Sequence, residues 1–116
     1  MAQYEDLEVD QGADAKWRLK LLESDGTKRN LTDYTARGKL NRSYDADSSE
    51  AVSFSVSFLS PRSDGIIEFS LTNTQTETLT RRRYVYDIEI EYEQGGDTLV
   101  ERVLEGKLMV SKSVTK

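Results

Sequence analysis

The sequence has no cysteine and no histidine among its 116 residues. It therefore cannot form disulfides or Cys/His zinc sites, and it has neither a thiol nucleophile nor the commonest general base at neutral pH. Any catalysis would have to use carboxylates, hydroxyls, lysine or arginine. No stretch resembles a phosphate-cradling glycine loop, and no enzyme motif is present, so we expect a non-enzymatic protein without a cofactor.

Long apolar segments are also absent, and proline occurs once. No segment approaches the length that spans a membrane, and the first ten residues, MAQYEDLEVD, lack the basic start and apolar run of a signal peptide. The formal net charge of −5 repels a phosphate backbone. We expect a soluble protein that is made in a cytoplasm and has neither a membrane nor a nucleic-acid partner.

The length suits one domain, because 116 residues can bury a core but divide poorly into two. The chain contains no internal repeat, linker or low-complexity tract. We therefore expect a single domain over residues 1–116, with short polar arms at residues 1–10 and 111–116.

The chain is rich in stretches where apolar and polar residues alternate, the pattern of strands with one buried face. About seven or eight short strands at roughly ten-residue spacing predict an all-β fold, either an antiparallel sandwich or a small barrel. The apolar positions predict a core that includes Trp17, Leu19, Phe54, Val56, Phe58, Ile88 and Ile90.

One short helical turn is the only helix that the sequence predicts. Thr74 and Glu77 have the spacing of a capping box, in which each side chain satisfies an exposed backbone donor. We expect at most one turn, near residues 74–79.

The last two strands are predicted to form a hairpin around Gly95 and Gly96. A two-residue turn places Tyr92 opposite Leu99, whereas a three-residue turn places it opposite Val100. The two registers differ by one residue, which reverses the direction of every side chain after the turn. The sequence leaves both open.

Three consecutive arginines, Arg81, Arg82 and Arg83, precede the first hairpin strand. They could contact phosphate, contact the acidic surface of a partner protein, or form a charged strand entry whose stems cover apolar surface. The acidic balance of the chain disfavours phosphate, and arginine is enriched at protein interfaces. We therefore interpret these residues as candidates for a protein interface.

Asp87, Glu89 and Glu91 follow at two-residue steps on one face of that strand. Carboxylates forced together can divide the roles of acid and base, but glycoside hydrolysis needs them to face one another across a cleft. A row on one strand face is usually solvated or paired with basic residues on a neighbouring strand. We expect pairing, with Arg102 and Lys107 as candidate partners, and no catalysis.

Two further binding sites have weak support. Asp45, Asp47 and Glu50 offer oxygen ligands suited to calcium, but their loop lacks the glycine and the distant glutamate of an EF-hand. Trp17 and the six tyrosines could line a carbohydrate site, although Trp17 shares its strand face with apolar residues. The default interpretation is a solvated loop without metal and a tryptophan in the core.

Several stretches together resemble a family of small virion structural proteins of tailed phages. The chain is similar to the N-terminal domain of phage upper baseplate proteins and to short stand-alone structural proteins of contractile-tailed marine phages. The similarity runs from about residue 6 to residue 115. It is carried by DLEVDQG at 6–12, NLTDYTARGK at 30–39, YVYDIEI at 84–90, ERVLEGKLMV at 101–110 and VT at 114–115.

The resemblance implies an immunoglobulin-like β-sandwich that acts as an assembly part, commonly in the tail or baseplate, without catalytic residues. Its partners would be other virion structural proteins and copies of itself, and its location the virion. A capsid or neck decoration protein and a carbohydrate- or calcium-assisted adhesion module remain alternatives. The family motifs give structural roles to Tyr84, Tyr86, Asp87, Arg102, Gly106 and Val110.

Overall fold

A computed structural model describes residues 3–112 and Val114, and within these it contains nine strands, one short α-helix and two 3-10 turns. The 3-10 turns span Ser48–Glu50 and Arg62–Asp64. The other elements are β1 Gln3–Tyr4, β2 Leu7–Asp10, β3 Ala15–Lys20, β4 Thr35–Asn41, β5 Val52–Ser53, β6 Ser55–Phe58, β7 Ile66–Leu71, α1 Asn73–Glu77, β8 Arg83–Gln94 and β9 Asp97–Ser111.

The strands form two sheets that pack together. The larger sheet has the order β1-β9-β8-β4-β5, with β2 also paired to β9, and the smaller has the order β3-β7-β6. The larger sheet is mixed and not purely antiparallel as expected, because β1 and β2 run parallel to β9. Parallel neighbours need a long connection, and here almost the whole chain lies between them.

The N-terminal segment is therefore not a free arm, contrary to the sequence-based expectation. Residues 3–10 lie along β9, with Leu7 opposite Leu108 and Val9 opposite Val110. Leu7 and Val9 are buried, because their alternation with acidic residues gives this short segment one apolar face. Of the remaining predicted arm residues, Met1, Ala2, Ser113, Thr115 and Lys116 lie outside the described part of the chain.

The core lies between the sheets. Of the residues expected there, Trp17, Val56 and Phe58 are only partly buried and pack against its margin. The Trp17 ring stacks on Phe69 at 5.4 Å between centroids and meets Phe54 edge-on at 6.1 Å. The expected core residues that are buried are Leu19, Phe54, Ile88 and Ile90, and the last two are fully enclosed.

The β8–β9 hairpin has a two-residue turn at Gly95–Gly96, where φ is 60° and 86°, values that only glycine adopts at low cost. Tyr92 therefore lies opposite Leu99. Further along the hairpin, Glu89 pairs with Arg102 while Ile88 pairs with Leu104, so Val103 is the extra residue of a β-bulge. The bulge lets two successive side chains of β9, Val103 and Leu104, both enter the core.

Helix α1 overlaps the predicted turn at residues 74–79 but begins earlier, and its capping box is formed by Thr72 and Gln75 instead of Thr74 and Glu77. Thr72 caps it, accepting a hydrogen bond from the Gln75 amide, and the Gln75 side chain accepts one from the Thr72 amide. The buried Thr76 hydroxyl donates to the carbonyl of Ala13 at 2.8 Å and accepts from the amide of Gly12 at 3.0 Å. These bonds hold α1 against the β2–β3 turn. No helix in residues 3–112 is long and apolar enough to cross a membrane.

Candidate protein interface

Arg81, Arg82 and Arg83 lie where the chain leaves α1 and enters β8, and all three are exposed. The Arg81 amide donates to the Tyr84 hydroxyl at 3.2 Å, and the Arg82 carbonyl accepts from the Val110 amide at 2.8 Å. Arg83 is the first residue of β8 and pairs with Met109. The backbone under the three guanidinium groups is therefore fixed by the sheet.

These arginine side chains form no ion pair or hydrogen bond with any residue in the described part of the chain. Lys107 is exposed nearby on the same face of β9, two residues from Met109, whose exposed fraction is 37%. Arginine and methionine are both enriched at protein interfaces, whereas lysine is not. We call Arg81, Arg82, Arg83, Lys107 and Met109 the arginine patch.

The carboxylate row of β8 is paired with arginines from both neighbouring strands. Asp87 lies 3.4 Å from Arg102, while Glu89 and Glu91 lie 3.2 Å and 3.0 Å from Arg37 of β4. The expectation of pairing with Arg102 is confirmed. Sequence reasoning missed Arg37, although the alternation of β4 places it on the outward face that carries the row on β8.

Lys107, the other expected partner of the row, is placed elsewhere. It lies opposite Val85, and its amide donates to the Asp6 carboxylate at 3.3 Å. The reason is geometric, because Lys107 lies beyond the part of β9 that faces the row. At this position Lys107 is part of the arginine patch and not of the carboxylate row.

Burial raises the pKa of Asp87, and the Arg102 guanidinium acts in the opposite direction. Glu105 lies directly opposite Asp87, and Arg102 contacts both, at 3.1 Å from Glu105. A raised carboxyl pKa is one requirement of an acid catalyst. Here the two carboxylates share one arginine on a sheet face, which is the arrangement of a structural charge cluster and not of groups flanking a substrate.

The acidic loop has structural contacts instead of converging ligands. Asp47 caps the first 3-10 turn by accepting from the Ser49 amide at 3.0 Å, which lowers the pKa of its carboxyl. Glu50 pairs with Arg42 at 3.3 Å, and Asp45 is exposed. Within residues 3–112 and Val114, no three acidic side chains are grouped so that they could hold a metal ion.

Several residues of β8 and β9 to which the motif resemblance gave structural roles contact the N-terminal segment or the arginine patch. Tyr86 is buried, and its hydroxyl donates to the Glu5 carbonyl at 2.6 Å. Burial raises the pKa of Tyr86, so the hydroxyl keeps the proton that it donates. Gly106 lies directly under Glu5, where a Cβ would collide with the Glu5 carbonyl. Val110 is buried and holds the Arg82 backbone.

The aromatic residues do not form a common carbohydrate-binding face. Trp17 packs against Phe69, whereas Tyr34 stacks on Tyr92 at 4.5 Å. Arg29 lies over both tyrosine rings at 5.6 Å and 5.5 Å. The exposed tyrosines Tyr4 and Tyr44 have no ring contact with another described aromatic residue.

No protein-family model and no curated protein matches the chain. Support for an interface therefore comes from the exposure, charge and fixed backbone of the arginine patch.

Proposed function

We propose that this protein is a non-enzymatic structural part of a tailed-phage particle, in the tail or baseplate, and that it acts through contacts with other virion proteins and with copies of itself. The observation that carries the proposal is the arginine patch: three exposed arginines whose side chains have no polar partner in residues 3–112 or Val114, beside a partly exposed methionine, with backbone hydrogen bonds to Tyr84 and Val110. The proposal that the assembly is a phage particle rests on the motif resemblance.

The sandwich itself we propose to be immunoglobulin-like. The sheets β9-β8-β4-β5 and β3-β7-β6 have the same order as the G-F-C-C′ and B-E-D strands of immunoglobulin variable domains. The bond between the Tyr84 hydroxyl and the Arg81 amide matches the tyrosine corner at the start of strand F in such domains. A framework of this kind serves many functions, so the function depends on the surface patch and not on the fold.

The arginine patch suits an acidic protein surface. Arginine offers five donors in a planar fork that matches carboxylates, and its guanidinium loses its hydration shell more readily than an ammonium group. Desolvated arginines at the centre of an interface often contribute a large share of the binding energy. We therefore expect the partner surface to present aspartate or glutamate opposite the patch.

Replacing Arg81, Arg82 and Arg83 by alanine should lower incorporation of the protein into particles at least about tenfold, as expected when interface arginines worth 1–2 kcal/mol or more are removed. The thermal unfolding midpoint should stay unchanged, because these side chains form no hydrogen bond or ion pair with a described residue. Mass spectrometry of purified particles measures the incorporation.

A matched control removes the same number of positive charges elsewhere. Lys28, Lys39 and Arg42 are exposed basic residues on other parts of the surface, and their replacement by alanine should leave incorporation unchanged. Finding the wild-type protein only in infected-cell lysate and not in particles would contradict the proposal. Immunogold labelling of particles separates a tail or baseplate position from decoration of the capsid or neck.

A further inference from the structure

A groove of about 700 Å³ runs along one open side of the sandwich. Trp17, Arg18 and Leu19 of β3 border one wall, and residues 5–8 border the other. Successive residues of a strand point to opposite faces, so a wall made of three in a row is the edge of the strand and not one of its faces. The groove therefore lies between the edge of β3 and the N-terminal segment.

The edge of β3 that borders this groove is unpaired. β3 pairs with β7 on its other side, from Ala15 opposite Leu71 to Lys20 opposite Ile66, and no described residue forms a ladder with the groove side. An unpaired edge presents a row of backbone N–H and C=O groups that can accept another strand. The backbone needed for strand addition is thus already extended and exposed.

The groove has a mixed lining, in which apolar side chains of both sheets lie beside charged ones. Trp17 is only partly buried there, beside the buried Phe69 and Leu104. A strand added to β3 would place every second side chain over these apolar side chains, where apolar groups lose contact with water. The exposed surface of Trp17 therefore favours an occupant with apolar residues at alternate positions.

The outward face of β3 determines which charge suits the outward side chains of an added strand. Three basic residues, Lys16, Arg18 and Lys20, are exposed there. Glu68 of β7 forms ion pairs with two of them, at 3.7 Å from Lys16 and 3.1 Å from Arg18. Lys20 forms no ion pair with a described residue. Opposite charges on adjacent strands stabilise their pairing, so acidic side chains fit beside β3.

The charges of the N-terminal segment, on the other side of the groove, also favour β3 over β2 as the edge that accepts an acidic strand. The outward residues of β2 are Glu8 and Asp10, which would repel an acidic strand. Arg83 and Lys107 of the arginine patch border the same groove, as do Glu5 and Asp6, so the excess of basic charge lies on β3. An acidic strand is therefore directed to β3.

We propose that β3 accepts an extended segment of a partner protein, in which apolar residues alternate with acidic ones, as an added strand of the smaller sheet. The inference rests on the proposed function as an assembly part, and it names the class of partner. Main-chain hydrogen bonds give the affinity, while the apolar side chains of the groove and the basic outward face of β3 select the sequence.

The test uses the full chain and an eight-residue peptide in which valine alternates with glutamate. Trp17, the single tryptophan, lies in the groove, so its fluorescence reports binding directly. We expect a saturable change in fluorescence, with NMR shifts at the amides of β3. A peptide in which lysine replaces glutamate should bind at least about tenfold more weakly, since several cross-strand charge pairs become repulsive.

Charge reversal on β3 should reverse this preference. Lys16→Glu with Arg18→Glu should weaken binding of the glutamate peptide about tenfold and strengthen binding of the lysine peptide. The control Lys28→Glu with Lys39→Glu makes the same change of net charge at exposed residues outside the groove and should leave both affinities unchanged.

Three results would overturn the proposal: no response of Trp17 or β3 at millimolar glutamate peptide, equal binding of both peptides, or concentration-dependent shifts of β3 without peptide, which would identify a second copy as the occupant. The two proposals fail separately. Peptide binding without incorporation into particles contradicts the virion function alone. Incorporation that survives the charge reversal on β3, with no peptide binding, contradicts the groove proposal alone.

Discussion

At the scale of single residues, Arg29 connects parts of the molecule that are far apart in sequence. Its guanidinium forms two hydrogen bonds to the Glu101 carboxylate, at 3.0 Å and 3.1 Å, and its amide bonds to the Leu21 carbonyl. The bond from Arg29 holds the pKa of Glu101 below its usual range, while the carboxylate raises the pKa of Arg29. The pair thus anchors the β3–β4 connection to the hairpin.

We expect the alanine double-mutant cycle of Arg29 and Glu101 to give a coupling of about 1 kcal/mol, since a bidentate bond to a charged group is partly screened by solvent here. Chemical denaturation of the four proteins measures it. The exposed pair Arg42 and Glu50 is the control and should couple by only a few tenths of a kcal/mol. Equal couplings for both pairs would contradict the role given to Arg29.

Local alternation in the sequence predicts which way a side chain of a strand points, but it does not identify partners across the fold. The pairing of Asp87 with Arg102 could be predicted, because a glycine turn makes the two strands neighbours. Arg29 and Glu101 lie 72 residues apart and belong to elements that no local pattern joins. The three arginines could be proposed as an interface from the sequence, whereas the fold was needed to show that their side chains have no polar partner among residues 3–112 and Val114.

At the scale of elements, the N-terminal segment depends on one glycine. Gly106→Ala would place a methyl group against the Glu5 carbonyl, so the segment must shift, and the Tyr86–Glu5 hydrogen bond with it. We expect a loss of stability of about 1–3 kcal/mol. Hydrogen exchange at the amides of Leu7–Asp10 should accelerate, because β2 loses its position on β9.

Gly96→Ala is the control for this change. A Cβ at Gly96 meets nothing within 4 Å, so the substitution strains only the turn, where φ is 86°. Hydrogen exchange in β2 should then stay as in the wild type. Protection of β2 that survives Gly106→Ala would show that the close approach to Glu5 is not needed for docking.

The sequence could predict most elements but not their arrangement in the sheets. Alternation predicted the hairpin, yet both turn lengths agreed with it until the pairing of Tyr92 with Leu99 was known. The bulge at Val103 has no local signature, because an apolar pair in a strand looks the same with or without one. The parallel pairing of residues 3–10 with β9 could not be predicted for a similar reason, because alternation indicates a buried face but does not identify the neighbouring strand.

At the scale of the whole molecule, the absence of histidine predicts that stability depends little on pH near neutrality. No side chain has an ordinary pKa between about 5 and 8 in this composition. Lowered carboxyl pKa values at Asp25, Asp47 and Glu101 add stability that is present above their unfolded values and lost as pH falls. The raised pKa of Asp87 acts in the opposite sense, since protonation favours its folded state.

We therefore expect an unfolding free energy that is constant from about pH 6 to 8 and falls below about pH 4.5, where the Glu101 carboxylate that Arg29 binds becomes protonated. Denaturant titrations across this range measure it. Glu101→Gln should reduce the loss of stability between about pH 4.5 and lower pH, because it removes the carboxylate whose pKa Arg29 lowers. A transition centred near pH 6.5 would contradict this account.

The parallel docking of β1 and β2 on β9 also has a consequence for the order of folding. The paired residues, such as Leu7 and Leu108, are about a hundred positions apart, which is among the largest separations that this chain allows. Contacts of such high order form slowly, because loop closure costs entropy before the contact forms. During synthesis, β2 leaves the ribosome before β9 and cannot pair until β9 has followed. Until then the apolar face of β2 is exposed, and the acidic residues on either side of Leu7 and Val9 keep the waiting segment soluble.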